Sequence, residues 1–120
     1  MGKIQHFQQL EVWKKAHELV LITYQVTKEF PREERFGLVS QMRRAAVSVP
    51  ANIAEGFKRR GINEKIRFYN IAEGSLEELK YFFILANDLG YVTSNDDLLA
   101  QADTVGRLLY GLITSTERRR

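Results

Sequence analysis

Apolar residues recur along this chain at three- and four-residue steps and never alternate with period two over strand length, so the pattern is helical throughout. Val12, Ala16, Leu19, Val26 and Phe30, joined by Trp13, Val20 and Tyr24, form one broad apolar face. They predict a first helix from about Leu10 to Glu29, stopped before Phe30-Pro31 because the residue preceding a proline is pushed out of the α region. Met42, Ala45, Ala46, Val49, Ile53 and Phe57 mark a second helix from near Glu34 to Arg60, with Gly61 placed to take a left-handed cap. Pro50 falls in its middle. It has no N–H for the Ala46 carbonyl and its ring crowds that carbonyl, at about 3 kcal/mol, so a kink is expected there.

Asn63 is placed to cap a third helix that runs to Asp88 or Leu89, where Gly90 closes it. Tyr69, Ala72, Leu76, Leu79, Phe83 and Ala86 form its core face. Ser94 with Asp97 resembles a capping box and opens a fourth helix, whose stripe is Leu98, Ala102, Val105, Leu109 and Leu112. That helix frays into Arg118-Arg119-Arg120. Four long helices with short connections predict an all-α, up-down-up-down four-helix bundle, a single domain over residues 1–120 with an ordered core of about 7–114.

The apolar surface exceeds what one bundle needs. Ile71, Phe82, Leu85 and Leu89 lie well round the third helix from its core face, and Val47, Ala51 and Ala54 form a second stripe on the second helix. A core-facing stripe occupies little more than about 100° of a helix, so a further partner is expected, most simply another copy of the chain. The alternative is a monomer with a wide core.

Charge adds a direction. The net charge of +3 conceals ten Lys/Arg against five Asp/Glu over residues 28–67, and two against eight over residues 68–117. A basic half invites phosphate; equally, opposite halves can attract one another between helices or between subunits. Arg43 and Arg44, with Lys58, Arg59, Arg60, Lys65 and Arg67, are the candidate nucleic-acid-binding residues. On an ideal wheel Arg44, Ala51, Glu55 and Lys58 share an outward stripe, while Arg59 and Arg60 flank the turn into Lys65 and Arg67. Interleaved aromatics are few (Phe57, Phe68, Tyr69) and are expected mostly in the core, which favours backbone contact over base stacking. A solvated charged face, partly neutralised by Glu55 and Glu64, is the competing account.

Chemistry is sparse. Cysteine is absent, which removes disulfides and thiolates. His6 and His17 lie apart and neither follows a Glu by three, so the Glu-x-x-His ligands of di-iron bundles are missing, and phosphate-loop motifs are absent as well. No enzyme, cofactor or metal is expected, the cluster of Glu73, Glu77 and Glu78 being ordinary helix surface. Ser48, Asn52 and Glu55 around Pro50 form either a polar pocket or local repairs, with Ser48 or Asn52 satisfying the freed carbonyl and Glu55 pairing with Lys58 or Arg59. Met1-Gly2 begins like a myristoylation site, but His6 stands where Ser or Thr is required. Lys14, Lys15 and Glu18 interrupt any secretory apolar run, and no stretch approaches the ~20 residues that span a bilayer, so a cytoplasmic protein without membrane contact is expected.

The run Gln41-Met42-Arg43-Arg44-Ala45-Ala46-Val47-Ser48-Val49-Pro50-Ala51-Asn52-Ile53-Ala54-Glu55-Gly56 closely resembles the central motif of the bacterial four-helix-bundle proteins encoded in 23S rRNA intervening sequences. Phe7-x-x-Leu10-x-Val12-Trp13 and Ala72-x-Gly74-Ser75-Leu76-x-Glu78-Leu79 look like that family's other two blocks, and the similarity spans roughly residues 7–92. The resemblance implies a small up-down bundle that assembles as a barrel-like homopentamer. A related bundle, the accessory protein of diversity-generating retroelements, binds nucleic acid and a reverse transcriptase. The resulting expectation is a non-enzymatic homo-oligomeric module that contacts RNA or DNA backbone through a basic surface. The alternative is a structural scaffold that docks a protein partner without binding nucleic acid.

Overall fold

A computed structural model describes residues 3–120; Met1 and Gly2, on which the myristoylation reading falls, lie outside the described residues. Four helices, α1 (Glu11–Thr27), α2 (Leu38–Lys58), α3 (Ile62–Asp88) and α4 (Asp96–Glu117), make a rod of 47 × 23 × 20 Å. Each packs on its two neighbours in the ring α1–α2–α3–α4–α1 and no diagonal pair touches, which is the up-down-up-down bundle expected for long helices on short connections. Among the described residues there is no strand. The core comes from the apolar stripes read in the sequence: Leu19 from α1, Met42 and Ile53 from α2, Tyr69, Leu79 and Phe83 from α3, and Val105 and Leu109 from α4 are all essentially sealed from solvent. Thr23 and Thr27 enter this core without penalty, because each hydroxyl donates to the carbonyl four residues earlier, at 2.7 and 2.8 Å.

The termini differ from the expected boundaries for identifiable reasons. After α1 the chain makes a 3-10 turn at Arg32–Glu34, and α2 starts at Leu38 rather than near Glu34. The Glu34 carboxylate is held by the Tyr91 hydroxyl at 2.7 Å, and Gly37 has a non-helical backbone, so Glu34 anchors the approach to the helix instead of opening it. Gly61 does not take the left-handed cap conformation; with φ −82° and ψ 144° it is extended and serves as the N-cap of α3, leaving Asn63 inside the first turn. Ser94 accepts the Asp96 N–H at 3.2 Å, and Asn95, not Ser94, holds the N-cap position, so the Ser94–Asp97 capping box does not form. Gly90, in contrast, closes α3 as the sequence indicates. Its φ of +79° accompanies N–H bonds from Gly90 to the Asn87 carbonyl and from Tyr91 to the Ala86 carbonyl, the paired pattern of a Schellman end.

Pro50 is buried inside the continuous span of α2 and does not end it. Asn52 Nδ2 donates to the Ser48 carbonyl at 2.8 Å, a carbonyl that keeps its helical partner, so the repair expected at the Ala46 carbonyl freed by Pro50 is not made by Ser48 or Asn52. Tyr24 was expected on the buried face of α1 but is 40% exposed, because its ring is the platform for Arg43 rather than part of the core.

Candidate nucleic-acid interface at one end of the bundle

The connection between α2 and α3 is only Arg59 to Gly61, so the last turn of α2 and the first turn of α3 lie side by side at one end of the rod. Gly56 permits the close approach. A Cβ there would lie 2.6 Å from Tyr69 Cε1 and 3.1 Å from the Lys65 carbonyl, so α3 can pack at this depth only against a residue without a side chain. Tyr69 is sealed beneath the turn, and burial pushes its phenol up to about 12, the positive field of Arg119 opposing the shift.

The candidate cations at this end have unequal freedom. Lys65 turns back onto α2, where its Nζ donates to the Phe57 carbonyl at 2.7 Å and lies 3.4 Å from the Gly56 carbonyl. It thereby satisfies the Phe57 carbonyl at the end of α2, while the Gly56 carbonyl also accepts the Arg59 N–H at 3.2 Å. Burial, with the nearby Arg119 charge, lowers its pKa. Arg59 pairs with Glu55 at 2.6 Å, in agreement with the i, i+4 expectation, and Arg67 pairs with Glu64 at 3.2 Å. Both guanidinium groups lie over the Phe68 ring, at 4.9 and 4.6 Å from its centroid. Lys58 and Arg60 are exposed and form no ion pair among the described residues.

Phe57 and Phe68 are therefore half-buried platforms for cations, while only Tyr69 belongs to the core. With Phe68 occupied by two guanidinium groups, the surface offers phosphate-directed donors rather than a free ring for stacking a base.

Arg43 and Arg44 stand apart from this end. Fourteen helical residues separate Arg44 from Lys58, about 21 Å along α2. Arg43 is committed to α1, with Nε donating to Thr27 Oγ1 at 2.9 Å, Nη2 donating to the Tyr24 carbonyl at 3.3 Å, and its guanidinium 4.4 Å from the Tyr24 ring centre. Arg44 is exposed on the outward stripe with Ala51, Glu55 and Lys58, as the wheel indicates. It borders a small polar pocket of about 240 Å³ between α2 and α3, lined also by Gln41, Ala45, Ser48, Ser75 and Glu78. There the two motif blocks meet: Ser75 Oγ donates to Ser48 Oγ at 2.7 Å, and Asn52 Nδ2 donates to the same oxygen at 2.9 Å. Neither serine has a histidine or lysine as a hydrogen-bond partner, so this cluster ties helices together and has no activating base.

Sequence reasoning did not connect the arginine tail to this end. Arg120 Nη1 donates to Asn63 Oδ1 at 2.6 Å, and the field of Arg119 reaches both Lys65 and Tyr69, so α4 delivers Arg118–Arg120 beside the α2–α3 turn. A terminal basic run carries no local signal of where it will dock. Among the described residues no group of three or more His, Asp or Glu side chains is placed to hold a metal ion. Among the described residues no helix is long and apolar enough to cross a membrane.

The fold and this end together define the class as an antiparallel four-helix bundle with a basic end where α2, α3 and α4 meet. The family model described as 23S rRNA-intervening sequence protein matches residues 8–111, and the chain belongs to that family. No curated protein matches the sequence. A crystal structure of a protein of unknown function from the S23 ribosomal protein family of Bacteroides thetaiotaomicron is similar, with a TM-score of 0.79 and 24% identity over 86% of this chain and 95% of that one. That similarity concerns the fold.

Proposed function

We propose that this protein is a non-enzymatic, homo-oligomeric binding module of the cytoplasm that contacts the phosphate backbone of RNA or DNA. The observation that carries this reading is the convergence of unpaired Lys58 and Arg60 with the Arg118–Arg120 segment around one helix turn. Cations from the end of α2, the α2–α3 turn and the segment after α4 on one small surface neutralise several phosphates at once, and each neutralised phosphate releases condensed counterions. Phe68 already carries two guanidinium groups, so recognition is of backbone charge and is insensitive to base sequence. Self-assembly, for which a pentamer is the expected number, repeats the surface and multiplies its affinity.

Titration of labelled single- and double-stranded RNA and DNA at two salt concentrations tests the reading. Affinity is expected to fall steeply with salt and to vary little with sequence. No binding at low salt, or binding indifferent to salt, overturns it. A protein partner retained from lysate after nuclease treatment would favour a docking scaffold instead.

A further inference from the structure

The groove between α1 and α2 combines exposed apolar side chains with uncompensated positive charge. It has a volume of about 690 Å³, and Arg35, Arg43 and Arg44 line it with no carboxylate. Past Arg35 and Arg43 it continues into a hollow of about 380 Å³ that adds Lys28 and Arg32, again with no carboxylate. None of these five cations forms an ion pair among the described residues. Arg43 is held by a hydroxyl and a carbonyl, which leave its charge intact. Glu29 and Glu33 belong to the same connection but line neither hollow, and the Glu34 carboxylate is taken by Tyr91. The rest of the surface is apolar. Phe36 is 89% exposed, Val47 is 41% exposed, and Leu21, one turn before Tyr24 on α1, is 56% exposed. A contiguous apolar strip with a charged rim marks a place where another molecule docks.

We propose that this groove is the docking site for an acidic amphipathic helix of a protein partner, its apolar side chains seated on Phe36 and Val47 and its carboxylates on Arg35 and Arg44. The stretch of α2 that walls the groove, from Leu38 to Ala51, is about 20 Å long, the length of an incoming helix of about four turns. Such a helix lays apolar residues three and four apart into the groove, and carboxylates on its flanks accept bidentate bonds from the guanidinium forks. Nucleic acid fits less well, because a phosphate backbone would pair the arginines and leave Leu21 and Val47 in water, while Arg43 turns its fork inward to Thr27. A second copy of the chain offers no matching charge. Meeting by the same face would set arginine against arginine, and the α3–α4 groove mixes Lys80 and Arg107 with Glu73, Glu77 and Asp103. The site is separate from the basic end, since Arg44 stands about 21 Å along α2 from Lys58, so a helix docked here leaves that end free for phosphate.

Fluorescence anisotropy with the full chain tests the proposal. The probe is a labelled peptide of about 15 residues with Leu at three- and four-residue steps and Glu between them, and its twin carries Lys in place of Glu. The acidic peptide is expected to bind at micromolar concentrations, and the Lys twin about tenfold more weakly or worse. Phe36→Ala, and Arg35→Ala combined with Arg44→Ala, should each weaken the acidic peptide about tenfold, with helix content unchanged by circular dichroism. Val47→Asp replaces Phe36→Ala if that variant does not keep its helices. Nucleic-acid titration of the same variants should be unaltered. A wild type that binds neither peptide overturns the proposal, and a smaller particle for Phe36→Ala in light scattering would then identify a second copy as the occupant. Equal affinity for the two peptides, or for wild type and variants, overturns it too. Nucleic-acid affinity that falls with the Arg35 and Arg44 change assigns the groove to phosphate and does the same. Intact peptide binding without any nucleic-acid binding supports the groove and overturns only the function proposed above.

Discussion

Gly56 in α2 and Tyr69 in α3 touch so closely that a Cβ on the glycine would lie 2.6 Å from the tyrosine ring. The contact brings the two helices together beside their short connection, and with them the basic residues of the turn. Gly56→Ala is expected to destabilise the protein by about 1–2 kcal/mol, because the strain of overpacking exceeds the gain in helix propensity. Gly111 in α4 is the control, since a Cβ there meets nothing within 4 Å. Gly111→Ala should stabilise by up to about 1 kcal/mol. Chemical denaturation of both variants measures the opposite signs; equal shifts would remove the steric role of Gly56.

Arg43 should behave as a structural residue. Its bonds to Thr27 and the Tyr24 carbonyl and its place on the Tyr24 ring tie α2 to α1. Arg43→Ala is expected to cost about 1–2 kcal/mol of stability while leaving nucleic-acid affinity nearly unchanged. Arg43→Lys should recover little, because an ammonium cannot reproduce the planar fork over the ring. Denaturation midpoints and binding titrations on the same samples separate the two effects.

The arginine tail should behave in the opposite way. Arg118 and Arg119 replaced together by Gln should weaken nucleic-acid binding and reduce the salt slope by about 2 for a duplex, if each contacts a phosphate. Replacing Lys28 and Arg32 by Gln removes the same charge at the far end of the bundle, where the α1–α2 connection lies. It should leave the slope unchanged. Identical slopes for the two double variants would mean that overall charge, rather than the end of the bundle, governs binding.

Tyr69 supplies a pH signature. Its phenol is raised to about 12 by burial, against an unfolded value near 10. A group whose folded pKa is raised favours folding while protonated, so its contribution is complete below about pH 10 and is lost as pH rises toward 12. Stability measured across that window should fall, and Tyr69→Phe should flatten the decline. Ultraviolet titration of the folded protein should show a late ionisation near pH 12 that is missing from the variant, while the Tyr91 phenol, also raised by its bond to Glu34, is present in both.

The helices, their order and their buried stripes were legible in the sequence because a 3.6-residue apolar period is a local property, and so was the Schellman end at Gly90. Helix starts were less legible. Gly61, Asn63 and Ser94 each fit a capping pattern, but the bonds that form depend on the angle at which the next helix leaves, and packing sets that angle. The exposed stripe of Arg44, Ala51, Glu55 and Lys58 followed from helix geometry alone. Which cations remain free did not.

By itself the sequence determined a four-helix bundle, a basic centre and an acidic second half. Only tertiary structure divided the basic residues by task, placing Arg43 on Tyr24, Lys65 on the end of α2, and Arg59 and Arg67 on Phe68, while Lys58 and Arg60 remain without ion pairs. It also brought Arg120 onto Asn63, 57 residues earlier in the chain. Periodicity records which side of a helix a residue occupies; the neighbour that receives its charge is fixed by how far the core lets two helices approach and where each one ends.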